Sequence, residues 1–181
     1  MKNIKCVLVG DEAVGKTSLQ ITYTTRAFPD KYVPMSDTTT IEIDVDGSPY
    51  TLDLWDPNAD RLRVLSYPNT DIFLACFAIN SKQSLDDIRS LWMPEIQHHV
   101  PGVPVMLVGT KSDLRKDCPE TQFVGDREIS ELVEELGIVG FVECSSRHQE
   151  GVNKVFEEAV RNALVGIRRR RKERRGGCNV V

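Results

Sequence analysis

The chain has 181 residues, 40% of them hydrophobic and 28% charged, which fits a single globular domain with room for a sizeable core. No apolar stretch approaches the eighteen or so residues of a membrane span, and the N-terminus lacks a signal-peptide layout, so a start in the cytosol is expected. The net charge of −4 conceals a split. From Ile167 onward seven basic side chains face one acid, Glu173, giving +6, while the remainder holds 16 basic and 26 acidic side chains, or −10. An acidic body argues against nucleic acid as a partner, whereas the basic end suits an anionic surface.

The five cysteines, Cys6, Cys76, Cys118, Cys144 and Cys178, show no C-x-x-C spacing, so neither a disulfide frame nor a zinc site is expected. Cys6, Cys76 and Cys144 sit inside apolar runs and read as small buried hydrophobes.

In chain order, Ile4 to Val9 is a strand, followed at once by Gly10-Asp11-Glu12-Ala13-Val14-Gly15-Lys16-Thr17 and then by a helix from Thr17 to about Arg26. That is the G-x-x-x-x-G-K-[ST] loop in its required strand-loop-helix setting. Its backbone N–H groups and the helix start suit phosphate, Lys16 reaches the β- and γ-phosphates, and the Thr17 hydroxyl faces Mg²⁺. Ala27 to Thr38, with Pro29 and Pro34, is a loop. Thr39 to Asp46 alternates with Ile41, Ile43 and Val45 on one face, Asp46-Gly47 turns, and Pro49 to Trp55 returns as the partner strand. Asp56 ends that strand.

Ile72 to Ala78 is a strand covered on both faces. Ser84 is placed to cap a helix reaching about His98, with Leu85, Ile88, Leu91, Trp92 and Ile96 inward. Pro104 to Gly109 is another buried strand, Arg115 to Gly125 a loop, and Asp126 to Leu136 a helix stopped by Gly137. Val139 to Cys144 is the last strand. The last helix runs from about Gly151 into the arginine run, with Val155, Ala159, Val160, Ala163 and Leu164 as its apolar face. The expected fold is α/β: a doubly wound, mostly parallel six-stranded sheet with one antiparallel strand. Residues 1–166 form the domain and 167–181 a basic tail read as a linker.

Ligands in such sheets bind beyond the carboxyl ends of the strands, where Thr110-Lys111-Ser112-Asp113 and Glu143-Cys144-Ser145-Ser146-Arg147 stand. An aspartate there accepts from N1–H and the 2-amino group of guanine; adenine lacks both donors and would leave the carboxylate unpaired.

Gly10 to Thr17, Trp55-Asp56, Thr110 to Asp113 and Glu143-Cys144-Ser145 resemble the motif set of Ras-superfamily small GTPases. Ile4-Lys5-Cys6-Val7, Tyr23-Thr24-Thr25, Ala27-Phe28-Pro29, Arg61-Leu62-Arg63, Leu65-Ser66-Tyr67-Pro68 and Trp92-Met93-Pro94-Glu95 with His98-His99 resemble the Rho/Rac branch in particular. The resemblance spans essentially the whole chain and implies the P-loop small GTPase fold with GTP or GDP and Mg²⁺ as ligands. It implies that Ala13, Val14, Gly15, Lys16, Thr17 and Ser18 contact the phosphates, and that Thr17, with Asp56 through water, holds Mg²⁺. Phe28 then covers the guanine edge, Lys111, Asp113 and Leu114 hold the base, and Ser145, Ser146 and Arg147 complete its pocket.

Four departures bear on activity. Glu12 stands where the family usually has a second Gly, placing negative charge beside the γ-phosphate unless it turns to solvent. Met35 stands where the first switch carries a Mg²⁺-binding Thr, and a thioether is a poor ligand for a hard cation; Ser36 substitutes only with a shift of register. Asp56-Pro57-Asn58-Ala59-Asp60 replaces D-x-x-G-Q, so the γ-phosphate-sensing Gly and the water-orienting Gln are missing, and Pro57 offers no N–H. The helical insertion typical of Rho proteins is largely absent between Arg115 and Gly125.

Cys178-Asn179-Val180-Val181 fits a C-a-a-X box behind the basic run, implying prenylation of Cys178 with the farnesyl or geranylgeranyl choice open. One lipid needs a second signal, which the cations supply at an anionic leaflet. The expected protein is a Rho/Rac-like guanine-nucleotide switch with weak or absent hydrolysis, monomeric, at the cytoplasmic face of a membrane, the plasma membrane favoured, with a cytosolic pool. Effectors and regulators would read its switch loops. The alternatives are a slow-cycling GTPase and a pseudo-GTPase scaffold.

Overall fold

The structure is a computed structural model that describes residues 2–29, 31, 36, 38–57, 62–116 and 123–176, with backbone alone at 116, 171 and 173–176. Met35, Asn58, Ala59, Asp60, Cys118 and Cys178 lie outside the described residues.

Six strands, β1 (Lys2–Val9), β2 (Thr38–Val45), β3 (Ser48–Trp55), β4 (Ile72–Ala78), β5 (Val105–Thr110) and β6 (Phe141–Glu143), form one sheet in the order β2-β3-β1-β4-β5-β6. Only the β2–β3 pair is antiparallel, closed by Asp46-Gly47 with φ of 54° and 73°. The others run parallel, as expected of strands joined through helices. All residues of β4 and β5 are buried, matching their unbroken apolar runs.

Helix α1 (Lys16–Thr25) and helix α5 (Val152–Gly176) cover one face of the sheet. On the other, α2 (Lys82–Asp87) passes through a π-helical turn (Ile88–Trp92) into α3 (Met93–His99), beside α4 (Asp126–Glu135). The expected core residues Leu19, Ile21, Tyr23, Ile43, Val45, Val155, Ala159, Val160 and Ala163 are all buried. So are Cys6, Cys76 and Cys144, and burial pushes the Cys144 thiol up to about 12. Among the described residues no helix is long and apolar enough to cross a membrane.

Two local expectations change. Ser81, not Ser84, caps α2, accepting from Ser84 N–H at 3.3 Å. The Ser84 hydroxyl instead donates to Ser81 O at 2.7 Å and accepts from Ala78 N–H at 3.0 Å, tying the helix to β4. Leu91 faces outward, 46% exposed, because the π turn breaks the 3.6-residue period: Met93 N–H donates five residues back to Ile88 O, just before Pro94, which has no N–H to give. At the C-terminus the last helix enters the arginine run as expected, and α5 continues unbroken to Gly176.

Candidate nucleotide site

The site lies at the carboxyl ends of β1, β3, β5 and β6, where the strand order reverses between β1 and β4. Chain direction changes sharply after Val9. Gly10 has φ 138°, and a Cβ there would stand 2.1 Å from the carbonyl oxygen of Cys76 on β4. Positive φ recurs at Ala13 (58°) and Gly15 (103°), the left-handed N-cap of α1. This alternation curls the backbone amides inward into the nest that binds phosphate oxygens.

Lys16 folds back over the loop, donating from Nζ to Gly10 O and Asp11 O, each at 2.7 Å. The segment after β5 holds the loop from the other side. Lys111 Nζ donates to Ala13 O at 2.7 Å, and the buried Thr110 hydroxyl donates to Val14 O and, at 3.0 Å, to Phe77 O. The resemblance places Lys111 on the base; in the structure Lys111 and Thr110 brace the phosphate loop.

Gly15, Ser18 and Phe28 line a cavity of about 200 Å³ together with Thr110, Lys111, Asp113, Leu114, Ser146 and Arg147. Residues separated along the chain by more than a hundred positions thus meet at one cavity. Asp113 stands in a 3₁₀ turn, Ser112–Lys116. Its carboxylate accepts from the fully buried Ser145 hydroxyl at 2.6 Å, and that same oxygen accepts His148 N–H at 3.1 Å. The carboxylate plane is therefore fixed from behind, a positioning role for Ser145.

At the other end of the loop the Thr17 hydroxyl donates to Asp56 Oδ2, and Asp56 is 2% exposed at the end of β3. A hydroxyl and a carboxylate at this separation are hard oxygen donors of the kind Mg²⁺ takes when phosphates complete its shell. The residues present fit the ion, and Thr17 and Asp56 would hold it.

A second cavity, about 320 Å³, opens beside the first half of the phosphate loop, lined by Gly10, Asp11, Glu12 and Lys16 with Pro57, Arg63, Leu91 and Trp92. Glu12 is an exposed side chain that lines this space beside Lys16.

Sequence reading missed what backs this cavity. Trp92 Nε1 donates to Asp11 Oδ1 at 2.8 Å, and the Arg63 guanidinium lies 4.7 Å from the Trp92 ring centroid. Arg63 binds Glu95 through two bonds of 2.9 and 2.6 Å, and the buried Tyr67 donates to the same carboxylate at 2.6 Å. Burial raises the Asp11 carboxyl, a push that the Trp92 bond opposes and nearby Asp87 reinforces. Burial also pushes Glu95 up, yet donation from Arg63 and Tyr67 with the Arg63 and His99 charges holds it below the usual carboxylate range.

A pH-dependent stability follows. The Glu95 contribution is complete above the unfolded pKa and is lost as pH falls through the lower folded one. Glu95→Gln is expected to cost about 1–3 kcal/mol at neutral pH. In denaturant titrations the gap to the parent chain should close as pH drops below the carboxylate range. A gap constant from neutral to acid would show that the Glu95 charge contributes nothing.

A glycine-framed phosphate loop, a Thr–Asp pair that suits a hard cation and a cavity lined by a carboxylate, all at the carboxyl ends of the strands, define a P-loop protein. Residues 5–165 match the family model described as the Ras family, so the chain belongs to that family. Its members are small GTP-binding switches that take GTP or GDP, typically with Mg²⁺, and act through effectors and regulators.

Proposed function

We propose that this protein is a membrane-anchored, Rho/Rac-like guanine-nucleotide switch in which GTP hydrolysis is weak or absent. One observation carries the hydrolysis reading: Glu12, Lys16 and Pro57 line the same cavity. Phosphoryl transfer needs neutralised charge on the transferring group and an oriented water. The extra carboxylate works against the first. Pro57 removes an amide next to Asp56, and the motif there lacks the Gly and Gln that would serve the second. The base side is intact by comparison, so binding is kept while release by hydrolysis is impaired.

The Rho/Rac assignment rests on the paired motifs around Leu65-Ser66-Tyr67-Pro68 and Trp92-Met93-Pro94-Glu95, which the Arg63–Glu95–Tyr67 cluster joins in space. Prenylation at Cys178 and the basic run support anchoring at the cytoplasmic face of a membrane, the plasma membrane favoured, with a cytosolic pool. The protein acts as a monomer whose altered switch loops meet effectors and regulators in an unusual way. Single-turnover hydrolysis of loaded GTP tests the reading. Expected turnover lies below the roughly 3–5 × 10⁻⁴ s⁻¹ of an unassisted member of this class. A faster rate favours a slow-cycling GTPase, and refusal of GTP favours a scaffold.

A further inference from the structure

The basic end of α5 has two unlike faces. Val165 is 61% exposed, and Arg168, Arg169 and Lys172 are exposed as well. Their i, i+3, i+4, i+7 spacing puts them on one stripe. Ala163 is buried and Gly166, Ile167 and Arg170 are half-buried, at the same spacing on the opposite face.

That inner face is packed on the domain. A Cβ at Gly166 would stand 2.9 Å from Pro104 Cγ, so the helix approaches β5 where only glycine fits. One turn further, Arg170 Nη2 donates to Asp71 Oδ1 at 3.2 Å while Asp71 Oδ2 accepts Lys5 N–H at 3.1 Å. Arg170 therefore ties the helix to the starts of β1 and β4. The stripe changes character toward the N-terminal side. Arg161 is taken up by Asp46 at 2.9 Å, Glu158 at 2.8 Å and Glu157 at 3.7 Å, so among the described residues the cluster of exposed cations lies beyond Val165.

We infer that Val165, Arg168, Arg169 and Lys172 form a lipid-facing edge for an anionic leaflet, and that Arg170 is the clamp that fixes the orientation of the domain against it. This rests on the membrane reading above. From Val165 to Lys172 the edge spans about 10 Å along the helix, against a Debye length of about 8 Å. A body of charge −10 outside the tail is thus held close to a like-charged surface, which favours the one approach that puts this edge down and the acids around Arg161 away. Charge complementarity selects the occupant. A flexible tether would bind the same lipids but leave orientation free.

Two single substitutions in the full-length chain separate these cases, using sedimentation with phosphatidylcholine vesicles with and without phosphatidylserine. An exposed cation near an anionic leaflet is worth roughly fivefold in partitioning. Arg169→Gln is expected to weaken phosphatidylserine-dependent binding about that much, and Arg170→Gln to leave it within about twofold. Equal losses overturn the inference and keep the membrane reading, since a free tail counts all its cations alike. No loss with Arg169→Gln also overturns it. Binding that ignores phosphatidylserine in the parent chain overturns the membrane reading itself. Hydrogen exchange gives a second check: amides 166–170 should be protected, and Asp71→Asn, which retains an acceptor for Lys5 N–H, should expose them. Unprotected amides in the parent chain would refute the clamp.

Discussion

Asp113→Asn is expected to leave a folded protein that has lost most of its affinity for guanine nucleotides. Asp113 is half-buried, and its side chain is not needed to close the core. Its carboxylate offers acceptors only, so it suits two adjacent N–H donors on a purine edge while Ser145 holds it from behind. An amide turns one acceptor into a donor, which opposes a base N–H if it faces the base and, if it faces Ser145, takes away the acceptor that the Ser145 hydroxyl proton now holds. Losing two charge-assisted bonds at about 1.5–3 kcal/mol each weakens GDP by roughly 10²–10⁴-fold. Selectivity for guanine over other purines should relax with it. Calorimetric titration of GDP, with circular dichroism as the folding control, measures this. Unchanged affinity would remove Asp113 from the base site.

Gly10→Ala should have the largest effect on the fold. The position combines φ 138°, which L-residues rarely adopt, with a backbone carbonyl 2.1 Å from the added Cβ. No side chain can rotate away to relieve that contact, because the obstacle is the Cys76 main chain in the fully buried strand β4. Either β1 and β4 separate or the loop loses its curl. A cost of roughly 3–5 kcal/mol is expected, or failure to fold, with a melting temperature lower by about 10 °C or more. Gly15 makes a useful contrast. Its φ of 103° strains any side chain, but the nearest atom to an added Cβ is 3.8 Å away, so Gly15→Ala should be the milder change in thermal melts.

The parts of the site carried by consecutive residues were legible in the chain. The phosphate loop is a local motif, and its neighbours read as strand and helix from periodicity alone. Asp56, Asp113 and Ser145 stand at strand ends, and the doubly wound order brings such ends together. Contacts between distant positions left no such mark. Arg63 and Glu95 are 32 positions apart and Asp11 and Trp92 are 81 apart, with no spacing rule to link either pair. Leu91 was read as core because a straight helix would have buried it; the π turn before Pro94 rotates it out. The helical course of the basic run was legible, because arginine is a good helix former and cations favour a helix C-terminus. Gly166 and Arg170 then find partners on the body that the sequence does not announce.

Among possible measurements, the nucleotide itself is the most direct. Acid extraction of the purified full-length chain identifies what it carries, and loading with GTP followed by single-turnover sampling shows what becomes of it. Retained guanine nucleotide with GTP still mostly intact after several hours is the predicted result, since the unassisted rate of this class would halve it in roughly half an hour. Conversion of the bound GTP to GDP within about that half-hour or faster would contradict the account, because Glu12 and Pro57 would then be harmless to the chemistry they border.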